Sequence, residues 1–90
     1  MNALANMQAD DAVMAPATQS APVVADANGR FASPNPNATL YVGTAGDVVC
    51  KLKRDSGWRT FKAMPAGFHP IRVKEIDVNG SSARDLLVVW

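Results

Sequence analysis

The sequence predicts an all-β fold: a small antiparallel sandwich or partly open barrel of about five short strands, preceded by an extended N-terminal arm. Three observations carry this. Val48, Cys50 and Leu52 alternate with Val49, Lys51 and Lys53, the period-2 pattern of a half-buried strand. Short β-rich runs recur over residues 38–90, separated by Gly-, Pro- or Asn-marked turns. Composition also changes near residue 38, where an Ala-, Asn-, Pro-, Ser- and Asp-rich stretch gives way to aliphatic runs. The chain is therefore read as an arm over residues 1–37 and a β domain over residues 38–90.

In the arm, Pro16, Pro22, Pro34 and Pro36 forbid regular helix or central strand around them. So few apolar residues cannot offset the entropy of ordering the segment alone, so it should be extended when bound to something. Residues 3–14 could form a short helix with Leu4, Met7 and Met14 along one side, marginal in water by itself.

In the domain, residues 38–43 form the first strand, with Leu40 and Val42 on one face. A turn at Gly43-Thr44-Ala45-Gly46 leads to the alternating strand over 47–52. Arg54-Asp55-Ser56-Gly57 is a hairpin loop before a third strand over 58–63. Pro65-Ala66-Gly67 turns the chain into a fourth strand over 68–78. There Ile71 and Val73 are out of phase with Ile76 and Val78, so a bulge near Lys74 or Glu75 is expected. Pro70 lacks a ladder donor and should lie at an edge. Asn79-Gly80 makes the last turn, before a final strand over 86–90.

Ninety residues make one small domain with a thin stability margin. Such domains gain support from disulfides, a metal or oligomerisation. One cysteine, Cys50, excludes an intrachain disulfide, and a single histidine, His69, without ligands at metal spacing predicts no metal site. No cofactor motif is present. Oligomerisation remains. The last strand, Leu86-Leu87-Val88-Val89-Trp90, is apolar on both faces, and Trp58 is out of phase with Phe61. Trp58, Leu87, Val89 and Trp90 are thus the expected residues of an interface with a neighbouring subunit or a larger surface, against the plainer reading that the fold buries them itself.

Net charge is +1, divided into −2 over residues 1–37 and +3 over residues 38–90, too small an asymmetry to assign a partner. No apolar run approaches the roughly 20 residues that span a bilayer. No basic-then-apolar leader is visible, and a lone cysteine fits synthesis in a reducing cytoplasm.

The remaining motifs favour structure over chemistry. Gly43-x-x-Gly46 lacks the Lys-Ser/Thr of a phosphate loop and leads into a strand, so it reads as a turn. His69 has no nucleophile to serve, and Cys50 sits on the inward phase of its strand. Glu75 and Asp77 share a strand phase, but so small a domain can hardly shape a glycan groove around them. Lys51, Lys53, Arg54, Arg59, Lys62, Arg72 and Lys74, with Trp58 and Tyr41, suggest the alternative of a small single-stranded nucleic-acid-binding barrel. Interleaved Asp47, Asp55, Glu75 and Asp77 favour a solvated face instead. No catalytic residues are expected.

Three stretches taken together resemble a known family. They are Leu40-Tyr41-Val42-Gly43-Thr44-Ala45-Gly46-Asp47-Val48-Val49, then Phe61-Lys62-Ala63-Met64-Pro65-Ala66-Gly67 followed by Pro70-Ile71-Arg72-Val73-Lys74, and the ending Ala83-Arg84-Asp85-Leu86-Leu87-Val88-Val89-Trp90. Over residues 37–90 they resemble the head-spike-base proteins of tailed phages, prophages and gene transfer agents. The resemblance implies a non-enzymatic virion structural protein, made in the host cytoplasm and mounted on the outer capsid surface. Its implied partners are the major capsid protein, further copies of itself as a trimer or pentamer, and a head fibre protein. The basic stretch 51–59 and the Phe68-His69 pair depart from the pattern, which leaves vertex and threefold attachment both open.

Overall fold

The computed structural model describes residues 16–90, and the helix expected over residues 3–14 lies outside them. The described chain is all-β: β1 (Ser20–Pro22), β2 (Arg30–Ala32), β3 (Thr39–Val42), β4 (Gly46–Leu52), β5 (Arg59–Met64), β6 (Gly67–Asp77) and β7 (Leu87–Val89). They make one antiparallel seven-stranded sheet in the order β1-β7-β3-β6-β4-β5, with β2 also on β6. Five strands match expectation within two residues at each end. The other two, β1 and β2, lie in the stretch assigned to the arm. The compositional change at residue 38 is therefore not where the sheet begins.

The 11-residue β6 organises the sheet, because its two halves pair with different strands. Its first part lies on β3, with Tyr41 opposite Phe68 and Thr39 opposite Arg72. Its last part is flanked by β4, with Cys50 opposite Ile76, and by β2, with Phe31 opposite Ile76. Leaf A is then β1, β7, β3 and the start of β6; leaf B is β2, the end of β6, β4 and β5.

Two irregularities bend β6 between the leaves. One step on β3, from Leu40 to Thr39, spans His69 to Arg72 on β6, so Pro70 and Ile71 are extra. One step on β4, from Lys51 to Leu52, spans Glu75 to Val73, so Lys74 is extra. The bulge falls where the sequence places it, and its effect is visible in the core. Val73 and Ile76, three residues apart, are both fully buried, whereas strict alternation would put them on opposite faces. Ala38, Leu40, Val42, Val48, Cys50 and Val88 complete the 0 %-exposed core, and Ile71 and Val78 pack at its margin.

The segment after Asn79-Gly80 runs back along the start of β4 and has no counterpart in the strands the sequence predicts. Ser82 and Ala83 donate their N–H groups to the Asp47 carbonyl at 2.9 and 3.1 Å, and Ser82 Oγ accepts from Asp47 N–H at 2.8 Å. Thr44 and Arg84 exchange both backbone hydrogen bonds, at 2.8 and 3.1 Å. Buried Ser81 accepts from Val49 N–H at 2.9 Å and donates to the Asp77 carbonyl at 2.8 Å, which satisfies its hydroxyl. Two of the stretches that carry the family resemblance, 40–49 and 83–90, are thus the two walls of one contact.

Each open edge of the sheet is blunted. In β1, Gln19 and Val23 bond β7-side carbonyls, so Ser20 and Pro22 face away, and Pro22 presents no N–H to a new strand. Pro70 does the same on the part of β6 that borders leaf A. At β2, Asp26 ties up the outward groups of Arg30: Oδ1 accepts its N–H at 3.0 Å and Asp26 N–H donates to its carbonyl at 2.8 Å. These backbone bonds, from Arg30 first and then Asn28, hold the Asp26 carboxyl below the usual carboxylate range. At β5, Ala63 takes φ 51° in a bulge stabilised by its N–H bond to Asp47 Oδ1 at 2.8 Å. Asp26→Ala is accordingly expected to lower the melting temperature slightly and to speed hydrogen exchange at the Arg30 amide, with Val49 and Cys50 unaffected. Unchanged exchange at Arg30 would show that the edge does not depend on this cap.

Candidate functional site

The outer face of leaf A carries an apolar row built by register. Leu40, Val42 and Val88 point inward and are fully buried, so Tyr41 and Leu87 point outward. Leu87 is paired with Pro22 on one side and Tyr41 on the other, and Tyr41 is paired with Phe68. Pro22, Leu87, Tyr41 and Phe68 therefore cross all four strands of the leaf in one line. The Tyr41 and Phe68 rings lie 4.9 Å apart at 56°. Phe68 is 72 % exposed, beyond what a surface phenylalanine needs for packing. A second row, Ser20, Val89, Thr39 and Arg72, runs beside the first. At the other border a cleft of about 620 Å³ opens between Pro22, Tyr41, Gly43 and Asp85.

Leu87 and Val89, two of the residues expected at an interface, lie on this face. Trp90 sits at its end, where Nε1–H donates to Gln19 Oε1 at 2.8 Å and the backbone pairs with Gln19, tying β1 to β7. Trp58 is elsewhere. It precedes β5 on leaf B, with the Arg30 guanidinium 5.0 Å and the Lys51 ammonium 4.8 Å from its ring centroid. Sequence reasoning missed Pro22, Tyr41 and Phe68. The phase of Tyr41 against Leu40 and Val42 was legible, but the pairing that aligns it with Leu87 and Phe68 was not.

The basic residues are largely engaged within the chain. Lys51 pairs with Glu75 and Lys62 with Asp47, each at 3.9 Å. Lys53 Nζ donates to Asn37 Oδ1 at 3.0 Å, and Lys74 Nζ to the Asp55 carbonyl at 2.8 Å. With cations against its ring, Trp58 is poorly placed to stack a base. Glu75 and Asp77 are likewise committed, to Lys51 and to the Gly80 N–H at 3.1 Å. His69 Nε2 lies 2.7 Å from the Pro65 carbonyl and ties the β5–β6 turn. Among the described residues no group of three or more metal-ligating side chains converges, and no helix is long and apolar enough to cross a membrane.

Cys50 is fully buried between Val48 and Leu52, and burial first, with nearby Asp55 second, pushes its thiol from 9.0 up to about 11. The folded state keeps the proton that the unfolded chain loses. Stability from this group is complete below pH 9.0 and declines as pH rises to about 11. Melting temperature measured from pH 8 to 11 should show this decline in the native chain and lack it in Cys50→Ala; identical profiles would remove Cys50 as its source.

Comparison with known proteins returns nothing similar to this chain: no family model, curated protein or solved structure matches it.

Proposed function

We propose that the chain is a virion structural protein of the outer capsid surface, a decoration protein or head spike base, which grips the major capsid protein through the outer face of leaf A. The observation that carries this reading is the outward apolar row of half-buried Leu87 and Tyr41 flanked by exposed Pro22 and Phe68, on a sheet whose edges are blunted. A protein displayed in many neighbouring copies must avoid strand-by-strand polymerisation, and a face contact permits that. The family resemblance over residues 37–90 supports the same role. Assembly as a trimer or pentamer would add avidity to a small individual contact, and the exposed side could carry a fibre. The role requires no catalysis, cofactor or nucleic acid.

The test is co-sedimentation with shells assembled from the cognate major capsid protein. Saturable binding, with a copy number that matches the vertices or threefold positions of the shell, is expected. No binding, together with micromolar oligonucleotide binding that falls steeply with salt, would instead assign a nucleic-acid module.

A further inference from the structure

We infer that the cleft at the border of leaf A, beside Asp85, receives an arginine side chain of the protein docked on that leaf. This rests on the reading of leaf A as the docking face and names the chemistry its partner presents.

Asp85 stands apart from the other acids. Among the described residues, Asp26, Asp47, Asp55 and Asp77 each accept a backbone N–H of their own chain, and Glu75 pairs with Lys51. Those carboxylates are committed to turns, a bulge and a cross-strand pair. Asp85 accepts only the Thr44 hydroxyl, through Oδ2 at 3.1 Å, and among the described residues no cation lies within 4.0 Å of it. Neighbouring Arg84 does not neutralise it, because Arg84 Nη1 donates to the Ser81 and Ala83 carbonyls at 2.8 and 2.9 Å.

The residue is nonetheless held in place. Asp85 takes φ 58°, a left-handed conformation that costs a non-glycine residue free energy. Its carbonyl accepts from Gly43 N–H at 3.1 Å. Only glycine fits opposite, since a Cβ on residue 43 would lie 2.6 Å from Asp85 Cβ. Asparagine or glycine at residue 85 would meet the same backbone demand. What aspartate adds is a negative charge on the wall of the cleft.

The cleft supplies the rest of the site. Asp85 is the one charged residue that lines it, and Pro22, Tyr41 and Leu87 give it an apolar wall. Its volume of about 620 Å³ is that of a ligand pocket rather than a surface dimple. An aromatic ring and aliphatic wall beside a single carboxylate suit a long apolar stem that ends in a planar cation. A guanidinium can stack on the Tyr41 ring while its N–H groups reach the carboxylate. Tyr41 and Leu87 also belong to the apolar row, so a partner lying on that row is in position to fill the cleft. The row gives contact area and Asp85 selects the partner by charge.

The test uses the full chain, labelled for NMR and titrated with acetyl-Gly-Arg-Gly-amide. The same peptide with citrulline in place of arginine is the neutral isostere. The arginine peptide should shift the Tyr41, Gly43, Asp85 and Leu87 resonances saturably and bind about fivefold more tightly than the citrulline peptide, as one exposed ion pair with a ring contact would give. Asp85→Asn, which tolerates the left-handed backbone, should abolish that difference and leave the Val48 and Cys50 resonances in place. Equal binding of the two peptides to the native chain overturns the inference. So do shifts confined to leaf B, or an unchanged arginine preference in a folded Asp85→Asn chain. Shell binding is a separate measurement. Shells that bind a chain with no arginine preference would leave the capsid reading without this site, and an arginine preference in a chain that ignores shells would leave the site without the capsid.

Discussion

Gly46→Ala should destabilise the chain by about 3 kcal/mol, near the upper end for overpacking, and lower its melting temperature by roughly 15 °C. A Cβ at this position would lie 2.5 Å from Ala83 N, 2.8 Å from Ala83 Cα and 2.8 Å from Ser82 C. All three are backbone atoms, so no side chain can swing aside. Relief requires the 81–85 segment to lift away, and with it go the Ser82 and Ala83 bonds to the Asp47 carbonyl. In a domain this small such a loss is a large part of the total stability.

Two other glycines calibrate the prediction. Gly57→Ala meets only Arg59 Nη1 at 3.5 Å and should stay within about 0.5 kcal/mol. Gly67→Ala has open space but needs φ 126°, so its cost is backbone strain of about 1–3 kcal/mol with no loss of contacts. Thermal melts of the three variants separate crowding from strain. If Gly46→Ala melted with Gly57→Ala, the close approach would not be holding the two walls together.

The same residues show what could be read before the fold was known. Alternation located β4, and the phase break in β6 located a bulge near Lys74 or Glu75, because both are local consequences of a one-sided core; the register puts it at Lys74. Gly43-x-x-Gly46 was legible as a turn. Its second purpose, clearance for Ser82 to Asp85, depends on a contact about 40 residues away that leaves no local trace. β1 and β2 were hidden for a related reason. Each has three residues, is flanked by prolines or polar turns, and exists only because β7 and β6 present a ladder to it. Proline at residue 22 argued against a central strand only, and an edge strand tolerates proline wherever its N–H would face away. Of the candidate site, Leu87 and Val89 followed from a terminal strand apolar on both faces. Tyr41 and Phe68 needed the cross-strand register, which no single strand encodes.

Phe68→Asp should leave the fold intact and weaken shell binding by about 30-fold per copy or more. The side chain is 72 % exposed, so the stability change should be small. Buried in an interface, the same ring contributes about 2 kcal/mol or more, and an aspartate there would add an unmatched charge to the docked face. Trp58→Ala is the informative contrast. It removes a larger aromatic, and the Arg30 and Lys51 contacts it loses are worth about 0.5–1 kcal/mol each at an exposed site, so this variant should melt lower. Because Trp58 belongs to leaf B, its shell binding should match the native chain. Binding isotherms and melts on both variants therefore place the contact. Weakened binding by Phe68→Asp alone puts the shell against leaf A. The opposite pattern would move the docking surface to the cation-flanked tryptophan on leaf B and leave the apolar row without the role assigned to it.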